Sequence, residues 1–196
     1  MTRFKSVVSD IDGTLNNNIE EASPKFDTGK RGFALYAGLL FTSMHMFKKH
    51  STKKILRSEA DAANGAEEVG TVMLNSDGVR VLRDHSDISS VKTRNNFRDL
   101  PAIERTLRDS GADVEVKRVG KEEKDDMLYG TEGPALLVQD NPLSTLKDIL
   151  RHKDSEAVII PHYYNAFFGR MVCLLSKRIR MGDWKEVEKM VSEQGQ

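Results

Sequence analysis

The sequence has 196 residues, and its 30 Lys and Arg residues balance its 30 Asp and Glu residues. A chain of this length can bury one core and a small accessory unit. The net charge of zero excludes a general attraction to nucleic acid or to an acidic membrane surface. The single cysteine, Cys173, excludes an internal disulfide and suits a reducing cytoplasm, where we expect the protein to lie.

The sequence contains no segment that predicts secretion or membrane insertion. Arg3 and Lys5 near the N-terminus are not followed by the apolar core of a signal peptide. The longest apolar stretch, Gly32 to Phe47, is too short and too mixed to predict a membrane span. We therefore expect no membrane and no nucleic acid among the partners.

The first predicted element is a short apolar strand, Phe4 to Val8, which leads into Ser9-Asp10-Ile11-Asp12-Gly13-Thr14-Leu15. Side chains at positions i and i+2 share one face of a strand, so Asp10 and Asp12 are expected together where the strand ends. Two carboxylates this close repel each other, and the simplest compensation is a divalent cation such as Mg²⁺. Gly13 permits a sharp turn, and Thr14 offers a hydroxyl or an amide there.

A surface turn is the simpler interpretation of Asp-Gly, but a hairpin needs a second strand directly after it, and Asn16 to Glu21 is polar and unlike a strand. The stretch resembles the first motif of the haloacid dehalogenase (HAD) superfamily, an apolar strand followed by Asp-x-Asp-Gly-Thr-Leu. The resemblance is continuous over seven residues. It implies a Rossmann-like α/β fold with a parallel sheet, and a phosphohydrolase activity.

The segment after this motif is predicted to be helical over most of residues 16–72. Thr28 is a suitable N-cap for a long apolar helix that extends to about Lys49. In the resembled family, a helical cap inserted at this point covers the site and selects the substrate. We therefore expect a cap at 16–72 and an α/β core at 1–15 and 73–196. The apolar helix also permits pairing with a second copy, which leaves a homodimer open.

The next predicted elements are a short helix capped by Ser76 and a weak strand, Ile88 to Lys92, which ends at Thr93 and Arg94. This order resembles the second motif of the family, in which a Ser or Thr at a strand tip hydrogen-bonds the transferring phosphoryl group. Thr93 is our first choice for that residue and Ser76 the alternative, while an ordinary turn is the competing interpretation of Thr93. Arg94 is expected beside it as a phosphate-binding residue.

A helix with Pro101 in its first turn and a strand over Val114 to Val119 come next, followed by the charged run Lys121 to Asp126. Most charged runs are solvated surfaces. The resemblance implies instead that one lysine here is the basic residue of the third motif, which offsets the carboxylates and binds the phosphoryl group. Lys121 is the first choice and Lys124 the second.

The most apolar strand after the first is Ala135 to Val138, and it ends at Gln139-Asp140-Asn141. This pattern resembles the fourth motif of the family, so Asp140 is expected to complete the metal site. Ser144 is expected to cap the following helix, which leaves Asp140 for that role. Many family members carry a second acid next to this aspartate or four residues after it, whereas this chain has Asn141 and Ser144. Asn141 could supply a neutral metal ligand.

The last predicted elements are a strand from Ala157 to Pro161, a helix through Leu175, and a helix that begins with a capping box at Asp183. Strands that alternate with helices predict a parallel sheet with helices on both faces. In such sheets the ligand lies beyond the carboxyl ends of the strands, where all four candidate motifs are expected.

The resemblance implies hydrolysis of a phosphomonoester, with a small phosphorylated metabolite as the substrate. Asp10 is expected to be the nucleophile and Asp12 the acid and base. Mg²⁺ is expected to bind Asp10, Asp140 and the backbone carbonyl of Asp12, with the neutral side-chain oxygen of Asn141 as a further ligand. Family dehalogenases lack the second aspartate, which is present here as Asp12. The alternatives are a binding or regulatory protein that has lost turnover, and a phosphotransferase.

Overall fold

The structure, a computed structural model, describes residues 3–15, 74–94, 99–120, 123, 126–162 and 165–193. The predicted cap at 16–72 lies outside these residues, as do Lys121 and Lys124. The strands are β1 Ser6–Ser9, β2 Ser89–Thr93, β3 Glu115–Arg118, β4 Ala135–Gln139, β5 Glu156–Ile159 and β6 Ile179–Met181. The helices are α1 Ser76–Asp84, α2 Leu100–Asp109, α3 Pro142–Arg151, α4 Ala166–Leu175 and α5 Trp184–Ser192.

The six strands form one sheet in the order β3-β2-β1-β4-β5-β6. Every neighbouring pair is parallel, and β1 lies between β2 and β4. The order therefore reverses between β1 and β4, which makes their carboxyl ends the place where such sheets bind ligands. The predicted α/β fold with a parallel sheet is confirmed.

The sheet is covered on both faces because its central strands alternate between two apolar clusters. In β4, Leu136 and Val138 face one cluster, while Ala135 and Leu137 face the other. Helices α1, α2 and α5 contribute to the first cluster, and α3 and α4 contribute to the second. The prediction of helices on both faces is therefore confirmed, and it follows from strands that are apolar on both sides.

One strand of the sheet, β6, has no counterpart among the predicted elements. It has only three residues and lies at the edge, where Ile179 and Met181 alternate with Arg178 and Arg180. So short an alternation between two helices is weak as a sequence pattern. Within the part of the chain that the structure describes, no helix has the length and apolar character needed to cross a membrane.

Close packing fixes the loop after β1 against two helices. A methyl group added at Gly78 in α1 would lie 2.6 Å from Trp184 Cε2 and 2.9 Å from Leu15 Cδ1. Trp184 also donates a hydrogen bond from Nε1 to the carbonyl oxygen of Thr14 at 3.2 Å. Because Gly78 has no side chain, Trp184 in α5 and Leu15 in the loop can both pack against α1, and these core contacts hold the loop in place.

Candidate active site

The loop that follows β1 turns sharply at the edge of the sheet that is formed by the carboxyl ends of the strands. The Asp10 amide continues the parallel pairing and donates to the carbonyl of Val138 at 2.9 Å. The chain then closes a turn in which the Leu15 amide donates to the carbonyl of Ile11 at 3.0 Å. Gly13 has a φ of 68°, a left-handed conformation that strains other residues. Since β1 ends at Ser9, both aspartates lie in the loop beyond the strand.

Three carboxyl groups follow two neighbouring strands at this edge. Asp10 and Asp12 follow β1, and Asp140 follows β4, the neighbouring strand. Burial raises the pKa of Asp10 well above its ordinary value, and the charges of Asp140 and Asp12 raise it further. Two contacts act against this shift and lower the pKa of Asp10. They are the hydrogen bond from the Ile11 amide to Asp10 Oδ1, at 2.8 Å, and the positive charge of Arg94. The charges that act on Asp10 come from the loops after β1, β2 and β4.

The residues after Asp140 are used to begin α3. Asn141, and not Ser144 as predicted, is the N-cap, because its Oδ1 accepts a hydrogen bond from the Ser144 amide at 3.1 Å. Asn141 is in the right place to cap the helix, because the residue after it, Pro142, is the first residue of α3 and proline favours that position. Asp140 is not used as the cap, as expected, and a metal-ligand role of Asn141 stays a prediction.

The two choices for the second motif occupy different positions. Thr93 is buried at the carboxyl end of β2, next to β1, whereas Ser76 is the exposed first residue of α1. Arg94 follows Thr93 and donates to Gln139 Oε1 at 3.3 Å and to Asp148 Oδ2. Thr93 and Arg94 therefore lie at the same edge as the three carboxyl groups.

Gly13 and Thr14 are buried under this edge. The Thr14 side chain is 1% exposed, and its Oγ1 has no hydrogen-bond partner among the described residues. The carbonyl oxygen of Gly13 accepts a hydrogen bond from Nε2 of His162, which therefore carries the proton on that nitrogen. Their predicted contact with phosphate stays a prediction.

Two residues from the loop after β5 connect the site but were not predicted to do so. Asn165 donates from Nδ2 to the carbonyls of Asp140 at 2.6 Å and Ile160 at 2.9 Å, and its Oδ1 accepts from the His162 amide at 2.7 Å. Asn165 and His162 are both buried. Together they connect the loop after β1 to the loops after β4 and β5.

The chemistry of the donor groups suits a hard cation. Carboxylate and carbonyl oxygens are the ligands that Mg²⁺ prefers in proteins, and the mutual repulsion at Asp10 would fall if a cation were bound. Among the described residues, no group of three or more His, Cys, Asp or Glu side chains is arranged as a metal site. The predicted ligand set of Asp10, Asp12, Asp140 and Asn141 therefore stays a prediction.

No family model matches the chain, and no curated protein matches it significantly. Among solved structures, the chain is similar to a HAD family hydrolase from Deinococcus radiodurans R1 with bound phosphate and sodium. The two share 12% sequence identity over 98% of this chain and 99% of that chain, with a TM-score of 0.48. A similarity at this level carries no inference about activity, which depends on the residues of this chain.

Proposed function

We propose that the protein is a Mg²⁺-dependent phosphomonoester hydrolase of the HAD type that acts on a small phosphorylated metabolite. The observation that carries the proposal is the position of Asp10. It follows the central strand at the reversal of strand order, where the charges of Asp12 and Asp140 raise its pKa and the charge of Arg94 lowers it. An ordinary surface turn would not require three acids and an arginine, all half-buried, at the carboxyl ends of neighbouring strands.

The reaction follows from the roles of the two aspartates. Asp10 attacks phosphorus, and the bond to the ester oxygen breaks while Asp12 gives that oxygen a proton. The product alcohol leaves, and an aspartyl-phosphate remains on Asp10. Asp12 then takes a proton from a water molecule, whose oxygen attacks the same phosphorus. Inorganic phosphate leaves and the carboxylate of Asp10 is restored.

The nucleophile must be ionised, which burial and its acidic neighbours oppose. Asp10, Asp140 and the backbone carbonyl of Asp12 would hold Mg²⁺, with Asn141 as a further oxygen donor. When bound, the cation would supply positive charge between the nucleophile and the phosphoryl oxygens. Arg94 and the predicted Lys121 or Lys124 would add positive charge from the protein.

The oxygens of the phosphoryl group need hydrogen-bond donors that act without a proton transfer. Thr93 is preferred over Ser76 for this role because it ends β2 beside β1. The backbone of Gly13 and Thr14 and the guanidinium of Arg94 complete the proposed phosphate site. Access to it, and the choice of metabolite, would be controlled by the predicted cap at 16–72.

Hydrolysis of an aryl phosphate, with and without Mg²⁺, tests the proposal. Wild type should turn over only with the metal, and Asp10→Asn should lose that turnover. Asp113→Asn is the matched control, because its side chain is 86% exposed and it precedes β3, at the other end of that strand from the proposed site. Turnover by Asp10→Asn at the wild-type rate would refute the mechanism.

A binding or regulatory protein is the second candidate function. It is favoured by one observation, since Asn141 and Ser144 occupy the places of a second acid and their hydrogen bond serves to begin α3. Such a protein would bind inorganic phosphate but release none from any ester in a panel of natural phosphomonoesters. Transfer to an added alcohol in place of water would instead identify a phosphotransferase.

A further inference from the structure

Arg94 is held in place by two buried groups from neighbouring elements. Its guanidinium donates to Gln139 Oε1, at the end of β4, and to Asp148 Oδ2, in α3. Gln139 and Asp148 are both fully buried, whereas 24% of the Arg94 side chain is exposed. The guanidinium is therefore held by two buried groups, while part of the Arg94 side chain stays exposed.

Asp148 is an unexpected residue for its position. A carboxyl group buried between a helix and a sheet is costly unless it is paired. Well-packed apolar residues commonly stabilise such a position as well as an ion pair does. Burial raises the pKa of Asp148, and the charge of Arg94 acts against that shift.

The hydrogen bonds around this pair indicate what the buried groups serve. Asp148 Oδ1 and Gln139 Nε2 have no hydrogen-bond partner among the described residues. Buried polar atoms are usually satisfied, so these two side chains are not explained by a complete network of their own. What they share is the hydrogen bond that each accepts from Arg94.

We propose that Asp148 and Gln139 are positioning residues that hold the Arg94 guanidinium in a fixed orientation toward the phosphoryl group. The inference rests on the proposed function and deepens it. A guanidinium is always charged, and its planar fork of donors matches two oxygens of a phosphate. Fixing the fork before the substrate arrives reduces the ordering that binding would otherwise require.

The competing interpretation is a structural ion pair, in which Arg94 serves only to neutralise Asp148. Both interpretations predict that removal of one partner destabilises the fold, because it leaves a buried group without its counterpart. They differ in the affinity for phosphate. A positioning role predicts weaker binding of phosphate when Asp148 is changed, whereas a structural role predicts a change in stability alone.

The test is made on the full chain with Asp148→Asn, which keeps the shape of the side chain and removes its charge. The measurements are the inhibition constant of inorganic phosphate, KM and kcat for an aryl phosphate, and the melting temperature. We expect phosphate to bind about ten- to a hundredfold more weakly, the range for losing one oriented charge-assisted hydrogen bond. KM should rise more than kcat falls.

Glu156→Gln is the matched control. Glu156 is also a largely buried carboxyl group, but it is paired with Arg3 and lies at the start of β5, away from the carboxyl ends of the strands. Its change should lower the melting temperature and leave the inhibition constant within about twofold, as expected for a residue that makes no contact with the ligand. A double variant, Arg94→Gln with Asp148→Asn, should bind phosphate no more weakly than Arg94→Gln alone, since Asp148 acts through Arg94.

An Asp148→Asn variant that melts earlier but binds phosphate like the wild type would overturn the inference. If this variant does not fold, Gln139→Met provides the same test, because it removes a hydrogen bond to Arg94 without changing a charge; unchanged phosphate affinity would again refute positioning. A wild type that neither hydrolyses esters nor binds phosphate would refute the proposed function itself. The two failures are therefore distinguishable.

Discussion

Replacement of Asn165 by alanine should lower both the stability and the turnover of the protein. Asn165 makes three hydrogen bonds, to the carbonyls of Asp140 and Ile160 and from the amide of His162. Each is worth roughly 1 kcal/mol net, so the variant should lose roughly 3 kcal/mol of unfolding free energy. For a chain of this size, that loss lowers the melting temperature by roughly 6–12 °C.

The effect on turnover has a separate cause. Asn165 fixes the backbone of Asp140, so its loss lets that proposed metal ligand shift relative to Asp10. A displacement of about 1 Å can reduce a rate about a hundredfold. We expect kcat for an aryl phosphate at saturating Mg²⁺ to fall by about ten- to a hundredfold, measured well below the melting temperature of the variant.

Arg178→Met is the matched control for this experiment. Arg178 Nη1 donates to three carbonyls, those of His152 at 2.7 Å, Lys153 at 2.8 Å and Ser155 at 3.2 Å. These carbonyls precede β5, at the opposite edge of the sheet from the site. The control should lose comparable stability and keep its kcat. If Asn165→Ala also keeps the wild-type kcat, or if both variants lose kcat equally, the proposed coupling of Asn165 to the site is wrong.

Three further changes test the electrostatics and the packing. Asp10→Asn should raise the melting temperature of the metal-free protein at neutral pH. The pKa of Asp10 is raised in the folded protein, so ionising this carboxyl group at neutral pH destabilises the fold. The gain should vanish in acid, where the wild-type carboxyl group is protonated in the folded and the unfolded protein alike. Burial lowers the pKa of Lys92 in the folded protein, so the unfolded chain binds a proton more readily at this residue. The free energy of unfolding of wild type, relative to that of Lys92→Met, should therefore rise from neutral to alkaline pH when it is measured by urea unfolding. Gly78→Ala should lower the free energy of unfolding by about 1–3 kcal/mol, although alanine favours a helix more than glycine does. The added methyl group would clash with Trp184 and Leu15, and an unchanged melting temperature would contradict this prediction.

The parallel sheet could be predicted because its strands are marked by local patterns. Ala135 to Val138 is an unbroken apolar run, and such runs are typical of central parallel strands. The meeting of Asp10 with Asp140 also followed from the sequence, since the carboxyl ends of parallel strands share one edge. Neither prediction required knowledge of any contact between distant side chains.

The supporting residues could not be predicted in the same way. Asn165 lies 25 residues from Asp140, and Asp148 lies 54 residues from Arg94. Neither belongs to a periodic pattern or a motif. Asp148 instead places a charged side chain on the buried face of an amphipathic helix. A charge at a position where the helical pattern calls for an apolar residue is the only trace that such a supporting residue leaves in a sequence.

These supporting residues connect the loops of the proposed site at the carboxyl ends of the strands. Gln139, Asp148 and Asn165 are polar and buried where apolar residues would pack, and each contacts the proposed site through Arg94 or Asp140. Catalysis by oriented charges needs groups that are in place before the substrate binds. Changes to these three residues should therefore cost both stability and turnover, whereas changes at the opposite edge, as in Arg178→Met, should cost stability alone.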